Sequence, residues 1–129
     1  MNKKDIRWKQ RFENFTKAFE TFKRILEIQN PNEAEKMGLI QAFEIVFELS
    51  WKTLKDYLFE IGFDEKSPKA TLKKAFQIDI ISQGHRWMEA LESRNETVHT
   101  YDNVMAEIMV KKIQENYAGI IKDLYLFFT

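Results

Sequence analysis

Phe43-Glu44-Ile45-Val46-Phe47-Glu48-Leu49-Ser50-Trp51-Lys52-Thr53-Leu54-Lys55-Asp56-Tyr57-Leu58 runs without a glycine or a proline, and its period decides the fold. Extended on either side, it places Ile40, Phe43, Phe47, Ser50, Leu54, Tyr57 and Ile61 at alternating steps of three and four, one stripe of an α-helix. Leu39, Val46, Leu49, Trp51 and Leu58 fall outside that stripe. A helix apolar over more than one face belongs at the centre of a bundle or at a subunit contact. Asn32 is a good N-cap, with Glu33 and Glu35 in the first turn, and Gly62 is the stop. About thirty residues at ~1.5 Å rise make a rod of roughly 45 Å. Gly38 weakens only its first turns.

Upstream, Trp8, Phe12, Phe15, Phe19, Phe22 and Leu26 make a second apolar stripe, a helix of about 20 residues that Asn30-Pro31-Asn32 ends because proline cannot continue the ladder. These phenylalanines are core material at helical spacing and imply no cofactor box. Downstream, Ser67-Pro68 is a cap with proline at the first helical position, opening a short helix through Ala70, Leu72, Ala75 and Phe76. Ile78-Asp79-Ile80-Ile81 reads either as its end or as a connector. Ser82 is the expected cap of a fourth helix carrying Trp87, Met88 and Leu91. Asp102 or Asn103 is expected to cap the last helix, with Met105, Ile108, Met109, Ile113, Tyr117, Ile120, Ile121, Leu124 and Phe128 as its apolar positions. The predicted fold is all-α, an antiparallel up-and-down four-helix bundle with one short additional helix, residues 1–129 forming a single domain.

Composition agrees. Hydrophobic residues make up 44% of the 129-residue chain, and four glycines and two prolines leave little turn material, so the elements must be long. The absence of cysteine removes disulfides and thiolate zinc sites and makes a reducing, cytoplasmic setting the expectation. The basic N-terminal residues are followed by no apolar run, so a signal peptide is not expected, and no run of ~18 apolar residues is available to span a membrane. Twenty basic residues balance twenty acidic ones, which argues against broad phosphate binding, so contact with RNA requires a local patch. The apolar tail Leu124-Tyr125-Leu126-Phe127-Phe128 calls for burial within the domain or against another chain.

His85 and His99 are the only two histidines. His85, just after Gly84, reads as a first-turn or surface residue. His99 lies in Arg94-Asn95-Glu96-Thr97-Val98-His99-Thr100-Tyr101, where a permanent cation, an amide, an imidazole and a phenol fall within eight residues. On one unbroken helix Arg94 and His99 would point about 140° apart and could not face a common site. They converge if the helix ends between them, which Thr97-Val98 and the caps Thr100, Asp102 and Asn103 allow, or if two copies meet across a two-fold axis. The bland alternative pairs Arg94 with a nearby glutamate, makes His99 a cap and leaves Tyr101 half-buried. Glu33 with Glu35, or Glu44 with Glu48, could be offered as metal ligands, but isolated carboxylate pairs are usually solvated or paired with lysine, so no metal or cofactor is expected. Lys52 and Lys55 read as the polar edge of the second helix. No glycine-rich phosphate loop is present, which excludes a nucleotidyltransferase or NTPase.

The Arg94-to-Tyr101 segment fits the Arg-x4-His-x-Tyr form of the motif that marks HEPN domains. Phe43-Glu44 and Phe47 through Leu58 resemble the long second helix of one branch, the nucleotidyltransferase substrate-binding protein family, related to the HepT-type toxins. The resemblance extends from about Arg11 to Phe127 with no departure at the motif positions. It implies a homodimer of helical bundles and a partner, a minimal nucleotidyltransferase encoded nearby. It also implies two functions. In a metal-independent endoribonuclease His99 would be the acid/base, Arg94 would stabilise phosphorane charge and Asn95 would orient the site. In a toxin-antitoxin pair the transferase would place AMP on Tyr101, an anionic adduct two residues from His99 that would block RNA. A helical dimerisation module with a degenerate motif is the remaining alternative.

Overall fold

The computed structural model describes residues 3–97 and 102–129. The helices it describes are α1 (Lys3–Leu26), α2 (Glu33–Glu60), α3 (Pro68–Gln77), α4 (Gly84–Thr97), α5 (Asn103–Lys112) and α6 (Ala118–Phe128), with a π-helical turn over Ile113–Tyr117 joining α5 to α6 in one rod. Four main helices with short α3 beside them make the expected bundle, and no strand occurs among the described residues. α2 packs against α1, α3, α4, α5 and α6, the central place that its two apolar faces require.

Local chemistry sets each boundary. Asn30 adopts φ 48° ahead of Pro31, and Asn32 then opens α2 with a complete capping box: its Oδ1 accepts from Glu35 N at 2.8 Å while its own N–H donates to Glu35 Oε1 at 2.9 Å. Gly62, at φ 104°, closes α2 in a Schellman motif, with Phe63 N–H reaching back to the Leu58 carbonyl at 2.8 Å and Gly62 N–H to that of Phe59 at 3.2 Å. Ser67 Oγ accepts from Ala70 N at 3.1 Å, and Pro68 occupies the first turn of α3.

One open reading is decided, and the starts of two helices and the regularity of the last one differ from expectation. Residues 78–81 are a connector, with Asp79 at φ 63° and Ile81 buried. α4 begins one residue later than a Ser82 cap requires, and the Gln83 carbonyl accepts the Arg86 and Trp87 N–H groups instead. The last helix is interrupted: Ala118 N–H bonds to the Ile113 carbonyl, five residues back, which inserts a wider turn. α1 also starts before Trp8, since nothing in the preceding residues breaks a helix.

Phe15, Phe22, Phe43, Phe47, Leu54, Trp87, Ile113 and Tyr117 are fully or almost fully buried in one continuous apolar cluster. Each large side chain taken from water contributes ~1.5–3 kcal/mol. Asp56 is buried too, and Arg11 Nε reaches its Oδ2 at 3.1 Å, tying α1 to α2. Leu124 is buried, Tyr125 packs against Phe12, Phe15 and Phe19, and Phe128 against Trp8, Phe12 and Tyr57, so three of the five tail residues are satisfied internally, while Leu126 and Phe127 remain exposed. Met105 and Ile108, placed by periodicity on the buried stripe of the last helix, are exposed instead. The inward face of α5 is set by Met109, Val110 and Ile113, and Ile108 lies on the far side.

Candidate functional site

Arg94 sits in the last turn of α4, where a cation complements the partial negative charge of a helix C-terminus. Its guanidinium forks between two acceptors. Nη2 donates to Glu48 Oε2 on α2, and Nη1 donates to the amide oxygen of Asn95 at 3.2 Å. Glu48 is the organising carboxylate. The same Oε2 accepts from the indole Nε1 of buried Trp51 at 3.1 Å, and Oε1 pairs with Lys52 Nζ at 3.2 Å. Partial burial would raise the Glu48 pKa. The Trp51 N–H, the Lys52 ammonium and the Arg94 guanidinium outweigh it and hold the carboxyl below its ordinary value, so Glu48 is an anion at neutral pH.

Around this pair, Glu44, Ile45, Glu48, Leu49 and Arg94 line an open depression of about 410 Å³. Ile45 is 49% exposed there, although it sits on the most buried helix of the bundle. α5, which follows the motif segment, turns Val104, Met105 and Ile108 to solvent, Val104 being 69% exposed. A guanidinium held by a carboxylate and an amide can donate to phosphate oxygens while its orientation stays fixed from behind. Apolar side chains beside a charged depression are also what a second protein surface covers.

Of the four residues the sequence singled out, Arg94 and Asn95 are thus in direct contact, and His99 and Tyr101 lie outside the described residues. Asp102 does cap α5, its Oδ1 accepting from Met105 N at 2.8 Å with φ −143°, so the chain has left helical geometry by Asp102. One unbroken helix running from α4 into α5 is not formed. His85 is exposed at the start of α4, as expected. The sequence offers Glu48 as a metal ligand with Glu44. The structure commits it to Trp51, Lys52 and Arg94, and among the described residues no three metal-ligating side chains converge. The i,i+3 and i,i+4 spacings of Trp51 and Lys52 from Glu48 were legible; the partner 46 residues away was not.

An all-α bundle with the motif arginine at the end of α4 agrees with the HEPN-type fold that the motif segment resembles. The chain belongs to the family described as nucleotidyltransferase substrate binding protein like, whose model matches residues 10–128. It is 34% identical over 83 residues to a Haemophilus influenzae protein named "Probable ribonuclease HepT"; that match covers 60% of this chain and 57% of the relative's length. A crystal structure of a Thermus thermophilus protein superposes with a TM-score of 0.79 at 28% identity, covering 85% of this chain and 94% of that one. No helix among the described residues is long and apolar enough to cross a membrane.

Proposed function

We propose that this chain is a HEPN toxin-like, metal-independent endoribonuclease whose site is completed at a homodimer interface by Arg94 and His99. The observation that carries this reading is the Arg94 guanidinium, braced by Glu48 and Asn95 at an open depression a few residues before His99. In the reaction, His99 takes the proton of a ribose 2′-hydroxyl and the 2′-oxygen attacks the adjacent phosphorus. The bond from phosphorus to the 5′-oxygen breaks, and that oxygen takes a proton from the His99 imidazolium or from water as it leaves. The products are a 2′,3′-cyclic phosphate and a 5′-hydroxyl end. Arg94 neutralises charge that builds on the non-bridging oxygens, and Asn95 keeps its fork in plane.

Exposed Ile45, Val104, Met105 and Ile108 support pairing of two copies beside the depression, which would also gather basic residues that one neutral chain disperses. His99→Ala should retain the fold and lose RNA cleavage. Cleavage at the wild-type rate in that variant would refute the assignment.

A second reading rests on the family match itself: a subunit that docks a minimal nucleotidyltransferase encoded nearby and presents Tyr101 for AMP transfer. The phenol oxygen would attack the α-phosphorus of ATP, releasing pyrophosphate and leaving an anionic ester near His99. The two readings are compatible, the second controlling the first in a cytoplasmic toxin-antitoxin pair. Mass spectrometry after incubation with the transferase and ATP should show an AMP-sized gain that Tyr101→Phe abolishes. A gain that persists in Tyr101→Phe would move the acceptor elsewhere.

A further inference from the structure

The π-helical turn between α5 and α6 delivers Tyr117 to a place that uniform α-helix would have to reach differently. Its ring is fully buried and stacks on Phe43 of α2, centroids 5.4 Å apart and planes 23° from parallel. Its hydroxyl lies 2.7 Å from Ser93 Oγ and 3.0 Å from Glu89 Oε1, both on α4. Ser93 is buried; Glu89, one turn earlier on the same face, is half-buried. The chain of bonds has one self-consistent direction: Ser93 donates to the phenol oxygen, and the phenol donates to the Glu89 carboxylate. Burial, with the Glu89 carboxylate alongside, pushes the phenol up to about 12 despite the Ser93 hydrogen bond, so it remains a donor at any physiological pH.

The two helices that Tyr117 joins are the two that make the candidate site. Ser93 immediately precedes Arg94, and Phe43 lies on α2 just over one turn before Glu48. Phe47 packs on Trp87, centroids 6.0 Å apart, making a second α2–α4 contact without any polar direction. Apolar contact lets a helix roll at small cost, whereas paired hydrogen bonds to residues 89 and 93 fix the rotation of α4 about its axis. That rotation decides whether Arg94 faces Glu48. π turns recur at functional sites because the widened turn redirects a side chain that regular helix would place elsewhere.

We infer that Tyr117 is a positioning residue: seated by the π turn, it locks α4 through Ser93 and Glu89 and so holds the Arg94 guanidinium against Glu48 for phosphate binding. The functional half of this inference rests on the ribonuclease reading; the geometric half does not. Tyr117→Phe keeps the ring and the Phe43 stack and deletes only the hydroxyl. Ser93→Ala deletes the other end of the same bond and serves if Tyr117→Phe folds poorly.

Two measurements on the full chain test it. The first is the side-chain Nε–H resonance of Arg94, assigned by its loss in Arg94→Lys. It should shift and broaden in Tyr117→Phe and in Ser93→Ala. The second is RNA cleavage, where kcat should fall by about tenfold with KM little changed, within the ~100-fold that a 1 Å misplacement can cost. Asn32→Ala, which removes a cap far from α4, is the control for lost stability alone and should leave both readouts as in the wild type. An unchanged Arg94 resonance in both variants overturns the inference, even if the wild type cleaves RNA. A shifted resonance with no cleavage by the wild type refutes the ribonuclease reading while leaving the positioning role standing.

Discussion

Replacing Glu48 by glutamine tests whether the α2–α4 ion pair is as integral to the site as its geometry indicates. Glutamine keeps the shape and one acceptor oxygen, so the Trp51 indole can remain hydrogen-bonded and only the negative charge is lost. The Lys52 pair is an i,i+4 contact on a half-exposed face, worth ~0.3–0.5 kcal/mol. The Arg94 pair is about a third exposed on either side, so solvent screens it and ~0.5–1 kcal/mol is appropriate. Glu48→Gln should therefore cost about 1 kcal/mol at pH 7, whereas Glu48→Ala, which also strands the buried Trp51 N–H, should cost ~2–4 kcal/mol. The sign with pH is fixed by the depressed pKa of Glu48. A carboxyl whose folded pKa lies below its unfolded value stabilises fully above the unfolded value and loses that contribution as pH falls through the folded one. Urea unfolding of wild type and Glu48→Gln should thus show a gap near pH 7 that closes on acidification below about 4. A gap of the same size at pH 3 as at pH 7, or no gap at either, would refute the assignment of Glu48 as a charged clamp. A double-mutant cycle with Arg94→Gln isolates the pair from the Lys52 contribution.

Two further outcomes follow from the same structure. The Tyr117 phenol, raised from 10.0 to about 12, keeps its proton in the folded chain after the unfolded chain has lost it, so stability present below pH 10 should drain away between pH 10 and 12; Tyr117→Phe should flatten that alkaline slope in a pH series of urea unfolding, and an unaltered slope would contradict the buried network. Asn32→Ala dismantles the α2 capping box and should lower stability by ~1 kcal/mol, read as a fall in the urea midpoint at unchanged slope, while a midpoint equal to wild type would show that the box contributes nothing.

Residue order alone locates the helices, most of their ends and the segment that carries the motif. Those features are local: Asn32, Gly62, Ser67-Pro68 and Asp102 act on backbone groups a few residues away, and the three-four spacing of Phe43, Phe47 and Leu54 marks a buried face whatever covers it. The Arg-x4-His-x-Tyr pattern marked the family by the same kind of short-range legibility. How those pieces meet is a property of the packed chain. Glu48 and Arg94 are 46 residues apart, and Ser93 and Tyr117 are 24 apart. No propensity or period couples such positions, because their contact depends on how α2, α4 and the last helical rod are rotated against one another. The π turn is the sharpest case. Periodicity read residues 103–128 as one regular helix with Met105 and Ile108 inside, but burial of Met109, Val110 and Ile113 together with the Tyr117 bonds to α4 is satisfied by widening one turn. That choice leaves Met105 and Ile108 in solvent, because the fit of the whole rod against α2 and α4, rather than the preference of any single residue, sets which face is buried.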